Sequence, residues 1–274
     1  MKKKRYSYSF YKKVIFYIFF FLNKRFIFTE CKRGKIKLFF AEIIWLVGNT
    51  IRLDMVNLTL PKFISDSYFE TTWGKFFIHP DVMSTMIISP TLERSDRDKL
   101  LQMIKKDLQE RRKVLFIDVG AHVGDYAIGL GNKLKGYKNF FIIAFEPNAT
   151  NFRIKTLSLL KQNVKINNIK RIKIFPVGLG SVNSDKANVY GIKTKKLDNI
   201  LGEEYSKKFD AIYIKIDIEG FETDALIGSE GFVKNAKKVV FLIEDCVDTK
   251  VINYLSDKYF FIDKISPYNS FWEK

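Results

Sequence analysis

The chain has 274 residues, 47% hydrophobic and 28% charged, which is enough apolar material for a sizeable core and too much for wholesale disorder. Two cysteines, Cys31 and Cys246, exclude a disulfide scaffold, show no metal-ligand spacing and fit a reducing, intracellular setting. The net charge of +17 is unevenly placed: residues 1–37 hold twelve Lys/Arg against one acid, Glu30, a net +11, and the rest of the chain carries +6.

That basic extension contains VIFYIFFFL, residues 14–22, fenced by Lys12, Lys13, Lys24 and Arg25. Nine residues fall well short of the roughly twenty that a spanning helix needs. No small-x-small cleavage site follows, as a signal peptide requires. Three readings stay open for it: a helix packed on the body, peripheral contact with an anionic membrane surface through residues 1–37, or attachment to nucleic acid. Residues 37–60 continue with apolar positions at helical spacing up to a break at Pro61. Residues 68–89 read as short strands with turns at Trp73-Gly74 and His79-Pro80, and His79 reads as a surface turn residue. Ser95 and Asp98 have capping-box spacing and predict a helix from there to about Lys113.

From that point the pattern becomes regular. VLFIDV (114–119), FFIIAFE (140–146), IKIFPV (172–177), AIYIKID (211–217) and VVFLIE (239–244) are apolar, β-branched or aromatic runs. Between them lie helix-length segments at 126–135, 151–167, part of 195–208, 223–233 and 248–257. Near-continuous apolar strands alternating with helices predict a parallel sheet covered on both faces, a doubly wound α/β fold. YFFIDKI and YNSFWEK at the C-terminus supply closing edge strands. The expected organisation is a helical extension (1–67), a lead-in of short strands and a helix (68–112), and a core domain (113–274).

Several strands end in a carboxylate: Asp118, Glu146, Asp217 and Glu244. Strand carboxyl ends line one crevice in such a sheet, and ligands bind there. Acids also cap the helices that follow strands, which would explain one of them more readily than four. The first loop, Asp118-Val-Gly-Ala-His-Val-Gly124, lacks both the G-x-G-x-x-G spacing of dinucleotide binders and the G-K-[ST] ending of a P-loop. Its glycines permit tight turns and close backbone approach. Without a phosphate, the helix N-terminus beyond would face a carboxylate, and Glu146 stands where an acid holds ribose hydroxyls. A ligand with ribose and an amino-acid carboxylate but no phosphate is S-adenosylmethionine.

These residues resemble the FkbM-type S-adenosylmethionine-dependent methyltransferases. Four motifs match in order: I-DVGAHVG-D (117–125), A-FEP-N (144–148), K-LDNI-L (196–201) and I-KIDIEGF-E (214–222) followed by Leu226-Ile-Gly228. The similarity spans roughly residues 113–244 and leaves 1–70 out. It implies a class I methyltransferase (Rossmann-like) fold, a mostly parallel seven-stranded sheet with its last strand antiparallel. It also implies methyl transfer to a hydroxyl oxygen of a small-molecule or glycan acceptor. Carried across residue by residue, Asp118, Gly120 and Gly124 would border the methionine part of the cofactor. Glu146 would bind the ribose diol, Pro147 and Asn148 would lie beside the adenine, and Asp217 and Glu219 would sit over the sulfonium. The chain departs at His122, where the family usually has asparagine. Both side chains offer hydrogen bonds from a short stem, so His122 reads as loop structure or a cofactor contact.

Methyl transfer from a sulfonium is a displacement in which the protein supplies alignment and, for a poor nucleophile such as a sugar hydroxyl, a base. Asp217, Glu219 and Glu222 fall within one strand-end turn, where close carboxylates raise one another's pKa. Asp217 or Glu219 is the expected base and Glu222 a structural cap, while Lys215 snorkels or pairs with a neighbouring acid and has no catalytic role. The D-x-E spacing is too common to call for a divalent metal at Asp217, Glu219 and Glu244, so none is assigned. The alternatives are an RNA methyltransferase anchored by the basic extension and a non-catalytic protein that tethers partners. The modest charge of the body, and Asp217-Ile-Glu219-Gly220 where a base-flipping N-P-P-Y tetrad would stand, count against nucleic acid. The expected location is cytoplasmic with peripheral membrane contact.

Overall fold

Strands form where apolar β-branched and aromatic residues run without interruption, and helices where such residues recur at three- and four-residue spacing. The computed structural model describes residues 30–51, 68–79, 82–147, 155–185, 191–246 and 250–274. The chain divides into two units, Met1–Leu92 and Glu93–Lys274. The apolar run at 14–22 and Asn148 lie outside the described residues. Among the described residues no helix is long and apolar enough to cross a membrane.

In the first unit, β1 (Cys31–Arg33), β2 (Phe69–Thr71) and β3 (Lys75–Phe76) make a small antiparallel sheet, accompanied by α1 (Lys35–Ile51). The turn at Trp73-Gly74 is closed by Thr71, whose Oγ1 accepts the amides of Trp73 (3.1 Å) and Gly74 (3.3 Å). Residues 82–87, expected to continue as strand, form the short helix α2 (Val82–Ile87) packed against α1. The physical reason lies in the sheet: β3 already pairs with β2, and a helix meets the backbone's hydrogen-bond needs without a further strand partner.

The second unit opens with α3 (Arg94–Gln109), and here the capping box does not form. The helix starts two residues early, behind Glu93 in left-handed geometry (φ 46°) with no side-chain cap. The acid that would close the box is otherwise engaged, and so is its neighbour Asp96. Asp98 pairs with Arg94 at 3.5 Å, and Asp96 is buried, accepting from Asn269 Nδ2 at 3.0 Å.

The core follows as β4 (Val114–Val119), α4 (Asp125–Lys133), β5 (Phe140–Phe145), α5 (Thr156–Asn167) and β6 (Ile172–Phe175). A two-residue parallel pair not foreseen from sequence, β7 (Gly178–Leu179) with β8 (Thr194–Lys195), precedes α6 (Leu197–Leu201) and a 3-10 turn at Glu203–Lys208. Then come β9 (Ala211–Ile216), α7 (Glu222–Ile227), α8 (Glu230–Asn235), β10 (Val239–Glu244), α9 (Val251–Ser256), β11 (Phe260–Asp263) and β12 (Asn269–Glu273). The segment expected as one helix at 223–233 is two, because the chain turns at Gly228, where a Cβ would stand 2.0 Å from the Gly180 carbonyl oxygen.

Seven strands pair in the order β11-β12-β10-β9-β4-β5-β6. Every pairing from β10 to β6 is parallel, and β12 alone runs against the rest. This is the mostly parallel seven-stranded sheet with one reversed strand that the resemblance implied. Of the two C-terminal strands, β11 is the edge and β12 is inserted between it and β10. β4 and β9 are buried at all six positions and carry side chains into both covering layers. On one face Ile117, Ile214 and Phe241 pack with Leu226 and Phe232 from the helices. The chain leaves β4 outward through β5 and β6, then returns to β9 on β4's other side. The order therefore reverses between β4 and β9, and a crevice opens at their carboxyl ends.

Candidate active site

The loop from β4 turns immediately. The amides of Gly120 and Ala121 both donate to the Phe145 carbonyl at 3.0 Å, and Gly124 N–H donates to Ala121 O at 2.7 Å. Gly120 has φ 81°, and a Cβ there would stand 2.0 Å from the Asp217 carbonyl oxygen. Its smallness therefore lets the β4 and β9 loops pass one another. Gly124 (φ 92°) starts α4, where a Cβ would meet methyl groups of Ile128 and Leu160 at 2.7 Å. Both glycines have structural reasons inside the protein, beyond any approach to a ligand.

Between them His122 has φ 48°, left-handed backbone that asparagine and histidine adopt more readily than most residues. The position thus accommodates either residue on backbone grounds. His122 N–H donates to Glu146 Oε2 at 2.7 Å, and Glu146 Oε1 accepts from Thr156 Oγ1 at 2.5 Å. Glu146 joins the β4 loop to the first residue of α5, and burial raises its pKa. Each carboxylate oxygen can accept twice, so both keep capacity for a diol. Pro147 follows directly at the strand end.

Asp118 is 1% exposed. Its Oδ2 accepts from Ala127 N–H at 3.0 Å, in the first turn of α4, and its Oδ1 has no hydrogen-bond partner among the described residues. Burial pushes its pKa up to about 6, and that of Asp125, next along the loop, to about 7. The cation beneath these acids is Lys215, directly across from Asp118 in the β4–β9 register. It is buried, with Nζ 2.7 Å from Asp217 Oδ2 and 4.8 Å from the centre of the Tyr126 ring. The buried Tyr126 hydroxyl donates to Glu93 Oε2 at 2.8 Å. Lys215 therefore pairs with an acid, as one of the two sequence readings had it.

The β9 loop carries the remaining expected residues. For Asp217, burial pushes the pKa up, but the adjacent Lys215 ammonium outweighs it and the carboxyl is held below the usual range. Glu219 is exposed with φ 56°, and burial with the Asp217 charge raises its pKa. Glu222 is fully buried and accepts the amides of Ile218 (2.8 Å) and Gly220 (3.0 Å), so it fastens the loop rather than facing a ligand. Glu244 ends β10 beside Asp217, and burial and the charges of Asp217 and Glu219 push its pKa up to about 8. Three non-glycine residues, Glu93, His122 and Glu219, hold left-handed backbone around this edge, and such strain concentrates at functional sites.

Asp118, Glu146, Asp217 and Glu219 thus gather at one sheet edge, joined by Asp125 and Glu244. Sequence reasoning missed Glu93, Tyr126 and Thr156 as supports. Thr156 was hidden inside a segment read as helix interior, and no local pattern marks a buried tyrosine under a lysine. Among the described residues no three His, Cys, Asp or Glu converge as a cation site. The edge is rich in acceptors and anionic, and two buried oxygens, Asp118 Oδ1 and Glu244 Oε2, have no donor among the described residues. Such a donor set repels phosphate and suits a ligand that brings hydroxyls and positive charge. S-adenosylmethionine, with a ribose diol, an ammonium and a sulfonium, fits it.

A family model described as the methyltransferase FkbM domain matches residues 118–255, from the Asp118 strand end to α9. Among curated proteins, dynein heavy chain-like protein 2 of Plasmodium falciparum (isolate 3D7) is 35% identical over 77 residues. That match covers 28% of this chain, which spans 2% of that relative's length. Among solved structures, a SAM dependent methyltransferase from Aquifex aeolicus is 12% identical over 65% of this chain and 96% of its own, at TM-score 0.39. A second, from Clostridium acetobutylicum ATCC 824, is 16% identical over 64% of this chain and 62% of its own, at TM-score 0.32. Scores this low leave the fold to rest on the strand order described above.

Proposed function

The chain belongs to the methyltransferase FkbM domain family, and on that premise we propose that it transfers a methyl group from S-adenosylmethionine to a hydroxyl of a glycan or small-molecule acceptor. The observation that carries the reading is the anionic, acceptor-rich carboxyl edge at the β4–β9 switch point, with buried carboxylate oxygens awaiting donors. When bound, the cofactor supplies an electrophilic methyl group on a positively charged sulfur. The chain's own residues bind, orient and handle the proton.

Glu146 holds the ribose diol with the capacity its two oxygens retain, stiffened by His122 N–H and Thr156. Asp118 and the glycine loop border the amino-acid end, with Pro147 beside the base. Asp217, held ionised by Lys215, offers negative charge to the sulfonium. Glu219, whose proton affinity is raised and which is exposed, is placed to take a proton from an arriving hydroxyl. The acceptor class rests on the family likeness, and peripheral membrane contact through residues 1–37 rests on their charge.

Incubation of the purified chain with methyl-labelled S-adenosylmethionine and separate panels of glycans, hydroxylated metabolites and RNA tests the acceptor. Label in an alkali-stable ether on a glycan or metabolite is the expected result. Label confined to RNA would overturn the acceptor class while keeping methyl transfer.

A further inference from the structure

β10 runs beside β9 with Ile243 opposite Ile216, so the next residues, Glu244 and Asp217, leave the sheet side by side at the carboxyl edge. Burial and the charge of Asp217 beside it raise the proton affinity of Glu244. Two carboxyls leaving adjacent parallel strands side by side repel each other unless they share one proton. The surroundings decide where it resides. Lys215 Nζ lies 2.7 Å from Asp217 Oδ2 and keeps that carboxyl ionised. Among the described residues no lysine or arginine pairs with Glu244. Cys246 Sγ approaches its Oε1 at 3.4 Å, and its Oε2 is buried without a donor among the described residues. The described groups on the flanking strands are already paired, acidic or neutral. Asp245, on its own strand end, is already paired with Lys264 at 2.5 Å. Glu219 is an acid, and Asn269, its register neighbour on β12, is neutral. From the β4 loop, His122 lowers the proton affinity of Asp217.

We infer that Glu244 is a further catalytic residue: paired with Asp217 it holds one proton in the ligand-free protein, releases it when a sulfonium binds, and then receives the proton of the acceptor hydroxyl. This rests on the cofactor reading above, replaces Glu219 with its neighbour Glu244 as the group that takes the hydroxyl proton, and adds a charge-dependent preference for the methylated cofactor. In the transfer, the acceptor oxygen's lone pair forms the O–CH3 bond. The S–CH3 bond breaks with its electron pair going to sulfur, and the hydroxyl proton passes to the Glu244 carboxylate. The high proton affinity of Glu244 suits it to that last step. Asp217, held ionised by Lys215, acts as the fixed charge beside it.

The test compares S-adenosylmethionine with its demethylated product, whose sulfur is neutral. Titration calorimetry from pH 6 to 9, in buffers of different ionisation enthalpy, reads both affinity and proton release for each ligand. Binding of the charged cofactor should release more protons than binding of the product, up to about one, and its relative affinity should rise roughly tenfold toward pH 8 before levelling. Glu244→Gln should still bind the product but lose both effects. The ligands' own ionisations are common to both proteins and cancel in this comparison. Equal proton release for the two ligands in the unmodified protein, or an undiminished difference in Glu244→Gln, overturns the inference while leaving the cofactor reading intact. Binding of neither ligand overturns both.

Discussion

At the amino edge of the seven-stranded sheet, Asp107 accepts from Tyr213 (2.7 Å), Arg112 (2.7 Å) and Lys238 (3.1 Å). Arg171 donates to the carbonyls of Phe140, Lys135 and Tyr137, and Lys274 to those of Val233, Lys234 and Ala236. At the carboxyl edge of the same sheet, six carboxyls gather around buried Lys215, three of them with pKa values pushed to about 6, 7 and 8. One edge uses its charges to tie the chain together, whereas the other holds like charges close, with buried oxygens that lack donors among the described residues. Like charges in a shared site raise one another's proton affinity and reduce stability, so an arrangement of this kind points to a ligand that brings the missing donors and positive charge.

The sharpest way to break the comparison is Gly120→Ala. Its Cβ would stand 2.0 Å from the Asp217 carbonyl oxygen, at a φ of 81° that side chains rarely adopt. A loss of about 3 kcal/mol or more is expected in urea unfolding, and a wild-type midpoint would contradict the packing of the two loops. Lys215→Met follows. It leaves buried acids without their cation and should cost on the order of 3 kcal/mol. The double variant Lys215→Met/Asp217→Asn should recover part of that loss, and strict additivity of the two changes would deny the pairing.

A smaller effect separates the edges by pH. Asp118, Asp125 and Glu244 bind protons more tightly folded than unfolded, so their contribution is present at low pH and is lost as pH rises from the ordinary carboxylate range through about 6, 7 and 8. Asp217 has the opposite sign, since its contribution is present above the ordinary range and is lost as pH falls below it. The melting temperature should therefore fall by roughly 5 °C between pH 5 and 8.5, where a flat profile would contradict the crowding of acids. Smallest is Lys237→Ala at the amino edge, where an exposed pair with Asp210 (2.7 Å) should matter by less than about 0.5 kcal/mol. A larger loss would show that the amino edge is not redundantly tied.

The sheet was legible in the sequence because fully buried parallel strands write themselves as unbroken apolar runs, and VLFIDV and VVFLIE were placed to the residue. What local pattern could not supply was the competition between partners. Ser95 and Asp98 have the spacing of a cap, yet Arg94 takes Asp98 and a buried Asn269 takes Asp96, leaving Glu93 to turn the chain. The β7–β8 pair is too short to register as a period. Within the site, the acids were legible one by one because each ends a strand. Their division of labour was not, because it depends on neighbours brought together by the register. Lys215 holds Asp217 ionised, while Glu244, read first as one acid in a row, keeps the proton. Glu222, expected as a structural cap, is bound by the backbone amides of Ile218 and Gly220.

The central claim, that the carboxyl edge is an S-adenosylmethionine site, is tested most directly by titrating the unmodified protein with that compound and following heat and melting temperature together. Binding at one site per chain, with about 2.7 kcal/mol of added stability at a hundredfold excess over Kd and loss of both signals in Glu146→Gln, is the predicted result. No heat and no thermal shift with either S-adenosylmethionine or its demethylated product would contradict it.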